Sequence, residues 1–278
     1  MNITQLKQLI WRPGRTLAYT QRDLTKVHNV VGSVVVKAMK GIPISWWDRL
    51  RLWSFGFEHN EVVYDNVTFI IINEKASNHG GAGTFMIRKA GISKRILQAP
   101  HSFFDEKTGD LALLVFLLNS SFKALFVNTL HRYIHEDGNK VELEPSSANH
   151  ADACHWPQHP IAEVSRMCFE ELLSSVVQIH GFEKIQGYPD AIVSAGSTTM
   201  TYQATDVWLS MKSHFPGHEI KNFPGEVNYL GATTNVQGQD FMKLGGSFVH
   251  VELADSFREE LVASLDLRID LAQALSAV

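Results

Sequence analysis

The sequence predicts an α/β fold, a mostly parallel or mixed sheet with helices on both faces. Two observations predict it. From about residue 61 onward, short β-branched or apolar runs alternate with stretches that carry apolar residues at helical spacing. Several of the apolar runs then stop directly at a histidine, an asparagine or an acid, as strands do at the carboxyl edge of an open sheet.

The elements follow in order. Val67–Ile72 is a β-branched run that reads as a strand, and Thr84–Arg88 reads as its hairpin partner across the turn-rich Asn78–Gly83. Arg95–Ala99 is a strand, Gly109–Asn119 a helix and Ala124–Asn128 a strand. Ile161–Leu173 is a helix, Ser175–Ile179 and Ala191–Ser194 are strands, and Thr201–Ser213 is a helix. Phe248–Leu253 is a strand. Ser256–Ala277 closes the chain as one helix, with Ser256 as N-cap and Glu259 completing a capping box. Residues 1–60 form an N-terminal extension packed on a 61–278 core. Its aromatic group of Trp46, Trp47, Trp53, Phe55 and Phe57 is the place to look for a partner or membrane surface.

Composition narrows the function. The chain has 278 residues, 45% of them hydrophobic and 19% charged, with a formal net charge of −4. That is ordinary for a globular enzyme, and no basic run suits a nucleic acid. No apolar stretch is long enough to span a bilayer; the longest, Leu111–Leu118, reads as a core helix. The N-terminus shows no basic segment leading into an apolar run and a cleavage site, so a cytoplasmic location is expected. The two cysteines, Cys154 and Cys168, read as ordinary thiols of a reducing compartment.

Four strand ends carry the chemistry. After Arg95–Ala99 come Pro100 and His101, with Asp105 four residues on. After Ala124–Val127 come Asn128, His131 and Arg132; a guanidinium there can bind a carboxylate in a fork, and His131 reads as a neighbour. The third run ends at His180-Gly181. His101, Asp105 and His180 together offer two nitrogens and one oxygen, which leaves a fourth position on Zn2+ open, as catalytic zinc requires. The fourth run holds Glu252 among apolar residues. Burying a carboxylate is costly unless it is paired or used, and a Glu near the metal can move protons. His250 shares its face by the two-residue period and reads as a neighbour in preference to a ligand. Ser194–Ser197 is no nucleophile elbow, and Gly80–Gly83 lies between strands instead of opening a helix, so serine-hydrolase and dinucleotide chemistry are poor readings.

Taken together, Gly83–Arg88, Ala99–Thr108, Phe126–Arg132, Val177–Phe182, Thr234–Gly238 and Phe248–Glu252 resemble the N-formylglutamate amidohydrolase-like proteins of the zinc carboxypeptidase and aspartoacylase clan. The resemblance runs from about 80 to 255. It implies the phosphorylase/hydrolase-like fold of zinc carboxypeptidases, Zn2+ on His101, Asp105 and His180, and Glu252 as general base. It also implies substrate binding by Arg132 with Asn128, under a loop holding Asn235. Two departures stand out. The acid falls one residue later than the clan's His-x-x-Glu, and Asn128 and Arg132 are four apart instead of adjacent. The expected reaction is hydrolysis of an amide bond in an N-acyl amino acid or peptide. The alternative is a metal-binding or interaction protein with a reduced site on the same fold.

Overall fold

The computed structural model describes residues 1–11, 21–75, 80–134 and 150–277. In chain order they form α1 (Ile3–Ile10), α2 (Gln21–Met39), α3 (Trp46–Ser54), β1 (Phe57–Tyr64), β2 (Val67–Glu74), β3 (Thr84–Arg88), β4 (Arg95–Ala99), α4 (Thr108–Leu118) and β5 (Phe122–Val127). There follow α5 (Pro160–Leu172), β6 (Val176–Phe182), β7 (Ala191–Ser194), α6 (Tyr202–His214), β8 (Ile220–Asn222), α7 (Val236–Lys243), β9 (Phe248–Ala254), α8 (Asp255–Ala263) and α9 (Leu265–Ala274).

The strands make one mixed sheet in the order β1-β2-β3-β5-β4-β6-β9-β7-β8. Its centre, β5-β4-β6-β9, is parallel, and its strands are buried on both faces because helices cover both. The pairings β1-β2, β2-β3, β3-β5 and β9-β7 are antiparallel, so the sheet is mixed. β1 and β2 close through Asp65 and Asn66, both left-handed, the geometry a two-residue hairpin needs. β1 is one of the two edge strands and leaves Glu61 exposed there, which discourages further pairing.

The division expected at residues 60 and 61 falls inside β1, all of whose eight residues pair with β2. Leu6 and Ile10 of α1 join the apolar layer on one side of the sheet. Val34 and Val35 of α2 join the layer on the other.

Two local expectations are corrected. The closing helix is two helices broken at Ser264, whose side chain accepts from the Leu267 amide and caps α9. Ser256 caps nothing. β9 runs straight into α8, so Ala254 takes the capping position and leaves no room for the expected box. Asn78 and His79 of the turn expected after β2 lie outside the described residues. The amides of Gly80, Gly81 and Ala82 all donate to the Glu74 carboxylate, so a side chain of the protein itself takes this glycine loop.

Candidate metal centre at the carboxyl edge of the sheet

Register brings the side chains together. β4, β6 and β9 are parallel neighbours, with Gln98 opposite Gln178, Gln178 opposite His250, and His180 opposite Glu252. Residues two apart share a face, so Gln178, His180, His250 and Glu252 stand on one side of the sheet. His101 follows β4, and the turn after it ends at Asp105, whose amide bonds to the His101 carbonyl at 2.8 Å. His101, Asp105, His180, His250 and Glu252 line a cavity of about 690 Å³.

At its floor, Asp105 Oδ2 lies 3.6 Å from His101 Nδ1 and 3.3 Å from His180 Nδ1. The Gly181 amide donates to the same oxygen at 3.1 Å. Both histidines turn their other nitrogen to a buried acceptor. His101 Nε2 meets Asp152 Oδ1 at 2.9 Å, and His180 Nε2 meets Gln178 Oε1 at 3.2 Å. Gln178 is in turn held by Asn235 Nδ2 at 2.8 Å. Cys154 Sγ lies 3.7 Å from His180 Nε2. On the next strand, His250 Nε2 is 3.4 Å from Glu252 Oε1, and Glu252 Oε2 is buried with no hydrogen-bond partner among the described residues.

Electrostatics follow from burial and these neighbours. Burial alone would raise the Asp105 carboxyl, but hydrogen bonds from His101 and His180 outweigh it and hold the group well below the usual range. Asp152 behaves likewise, through His101, His155 and Arg132. Burial would lower His180, yet Cys154 and Asp105 carry it up to about 9. Burial would raise Cys154, yet the two imidazoles bring it down to about 6. Burial pushes Glu252 up to about 7 and His250 well below its ordinary value. Asp105 and Asp152 thus favour charged imidazoles at His101 and His180, while burial disfavours charge on His250 and Glu252.

Asp105 Oδ2 stands between the two Nδ1 atoms as an acceptor they share, but His101, Asp105 and His180 are not among the groups whose donor atoms all lie within 4.8 Å of one another. The turned-away Nε2 atoms supply the outer hydrogen bonds that fix ligating imidazoles. Two groups among the described residues do crowd together: donor atoms of His101, Cys154 and His180 lie within 4.8 Å of one another, as do those of His180, His250 and Glu252. On the Nε2 side Asp152 and Gln178 engage the rings, and on the Nδ1 side Asp105 meets both rings and Arg132 meets His101.

The remaining predicted residues are placed differently. Arg132 lines the cavity, but its Nη2 donates to Asp152 Oδ2 at 2.6 Å and its Nη1 is 3.4 Å from His101 Nδ1. Asn128 is turned to the backbone, donating to the Ala151 carbonyl and accepting from the Leu130 amide, and is not among the cavity-lining residues. Asn235 does line the cavity. It belongs to no covering loop; it caps α7, accepting from the Gln237 and Gly238 amides.

Asp152, Cys154 and His155 were not foreseen as site residues, although His150-Ala-Asp-Ala-Cys-His155 is dense in metal-binding types and lay open to that reading. Arg258 was also missed. From α8 it donates to the carbonyls of Glu106, Phe182 and Leu253. These residues follow Asp105, His180 and Glu252 by one or two positions, so one guanidinium ties together the three segments that carry them. Glycine at 181 makes room for it, since a Cβ there would stand 2.1 Å from Arg258 Nη1.

Fold and site thus define a mixed α/β chain with a buried imidazole–carboxylate cluster at the carboxyl edge of its sheet. No protein-family model and no curated protein matches the sequence. Among solved structures, the chain is similar to N-formylglutamate amidohydrolase from Ralstonia eutropha JMP134, with 11% identity over 69% of this chain and 95% of the other and a TM-score of 0.45. A bacteriophage poly-gamma-glutamate hydrolase gives 14% identity over 71% and 87%, with a TM-score of 0.42. A metallo-carboxypeptidase from Burkholderia cenocepacia gives 10% over 84% and 68%, with a TM-score of 0.41. Likeness at this level carries no information about chemistry.

Proposed function

We propose that the protein is a zinc-dependent hydrolase of amide bonds, acting on an N-acyl amino acid or a peptide. One observation carries the reading: buried donor atoms of His101, Cys154 and His180, and of His180, His250 and Glu252, gather within 4.8 Å at the cavity, with Asp105 bonded to both His101 and His180. His101, Asp105 and His180 would hold the ion. Zinc, when bound, acidifies water and polarises a carbonyl.

The chain's own groups do the rest. Glu252 takes a proton at its carboxylate and returns it to the departing amine, a task suited to a group that burial holds near neutrality. Asp152 and Gln178 keep the imidazoles oriented. Arg132, fixed by Asp152 and lying over Phe104 and Tyr133 at 5.5 and 5.2 Å, presents a guanidinium on the cavity wall for a substrate carboxylate.

Zinc content and hydrolysis of N-acyl amino acids test the reading. His180→Ala is expected to lose both zinc and activity. Full zinc retention in that variant removes the ligand assignment. Stoichiometric zinc in the wild type with no hydrolysis of any acyl amino acid or peptide favours the reduced, metal-binding alternative.

A further inference from the structure

We infer that α3 is a docking face for an anionic lipid bilayer, a property independent of the metal centre. Three of its nine residues are tryptophans, and Trp46, Trp47 and Trp53 are 64%, 66% and 62% exposed. Leu50 between them is 39% exposed. At about 100° per residue these four occupy one arc of roughly 120°. Arg49 borders the arc on one side and Arg51 on the other, and both are exposed. The opposite side of the helix is anchored: Leu52 is fully buried, and Asp48 is capped by Ser45 and paired with Lys37 at 2.7 Å.

The rings touch one another or a neighbouring cation and are presented outward. Trp46 and Trp47 meet edge to face at 4.6 Å, and Lys75 Nζ sits 3.6 Å over the Trp53 ring while donating to the Trp53 carbonyl. A stripe of indoles edged by cations matches the boundary layer of a bilayer. There the rings sit at headgroup depth and the guanidiniums reach lipid phosphates. The charge decides between lipid surfaces. The only acid in the helix, Asp48, is buried against Lys37, and the nearby Glu61 lies between Arg49 and Lys89. The tryptophan face therefore meets the solvent as an apolar and basic patch on a chain of net charge −4, which suits an anionic bilayer and not a neutral one. No helix among the described residues is long and apolar enough to cross a membrane, so the contact is peripheral.

The test is co-sedimentation of the full chain with phosphatidylcholine vesicles, with and without roughly one third phosphatidylglycerol. Wild type is expected to pellet with the anionic vesicles at low salt and to be released at about 0.5 M salt. Trp46→Ala with Trp47→Ala and Trp53→Ala is expected to stay in the supernatant. Arg49→Glu with Arg51→Glu is expected to weaken binding by roughly thirty-fold or more. An unchanged circular dichroism spectrum and unfolding midpoint certify the fold of each variant. The inference is overturned if wild type ignores anionic vesicles, or if either folded variant binds as wild type does. Self-association that the tryptophan variant abolishes, without vesicle binding, assigns the face to a second copy of the chain and equally overturns it.

Discussion

Glu252 stands one strand away from His180 with a buried oxygen that meets no donor among the described residues. A carboxylate left so is costly unless it has work to do. Replacing it with Gln keeps the shape and removes the base. Glu252→Gln is expected to keep its zinc and to lose about 10²–10⁴-fold in kcat, measured with the wild type's best amide substrate. In the wild type, the rate should rise with pH as Glu252 gives up its proton. A bound cation sets that midpoint below the value of about 7 that burial produces. Equal activity in the Gln variant would place the base elsewhere. At this scale, much of the site was legible, because a strand that ends in His or carries a lone Glu among apolar residues is a local signal. Asp152 and Cys154 were not. They sit in a turn and reach the histidine cluster only through tertiary folding.

Helix α5 opens on an unusual cap. His159 precedes Pro160, and its Nδ1 accepts from the Ile161 amide at 3.2 Å. The ring is fully buried and its Nε2 finds no acceptor among the described residues, so burial pushes its pKa down to about 3. The folded chain therefore keeps this imidazole neutral, while the unfolded chain protonates it below its ordinary value of 6.5. Stability is fully present above pH 6.5 and is lost as pH falls toward 3, by roughly 2 kcal/mol at pH 5. Asn caps helices as well and does not titrate. His159→Asn is expected to shrink the loss of stability between pH 7 and pH 5 by about that amount, read from urea unfolding at both values. An unchanged loss would mean that the ring is hydrated or protonated in the fold. Helix α5 itself was legible to within a residue from apolar spacing. Its cap was not, since His is no usual N-cap, and neither was the break at Ser264, where apolar spacing continues through the interruption.

The alternation of strands and helices was legible, as was the antiparallel β2-β3 hairpin, but β1, β8 and the antiparallel returns β3-β5 and β9-β7 were not. Pairing direction depends on where a connection returns, which no local pattern records. The same holds for the first sixty residues, whose role is set by distant partners. α1 shows how. Its carbonyls at Leu9 and Ile10 accept from Asn73 at 2.9 Å and Thr84 at 3.1 Å. Its Lys7 pairs with Asp110 of α4 at 2.8 Å, and Trp11 just beyond it meets Phe103 edge to face. Leu6 and Ile10 are fully buried in the layer that also contains Leu97 of β4 and Leu111 and Val115 of α4. Trp11 and α4 flank the turn that bears His101 and Asp105, so α1 supports the segment that supplies two of the proposed ligands. Leu6→Ala removes buried methyl groups where the surrounding strands and helices cannot collapse inward. It is expected to cost ~3 kcal/mol of unfolding free energy. The same change at the partly buried Leu9 should cost less, because part of the lost surface there already faces water. Urea unfolding of the two variants beside wild type measures both values. Equal, small effects would mean that α1 lies loosely on the sheet and that the chain folds without it.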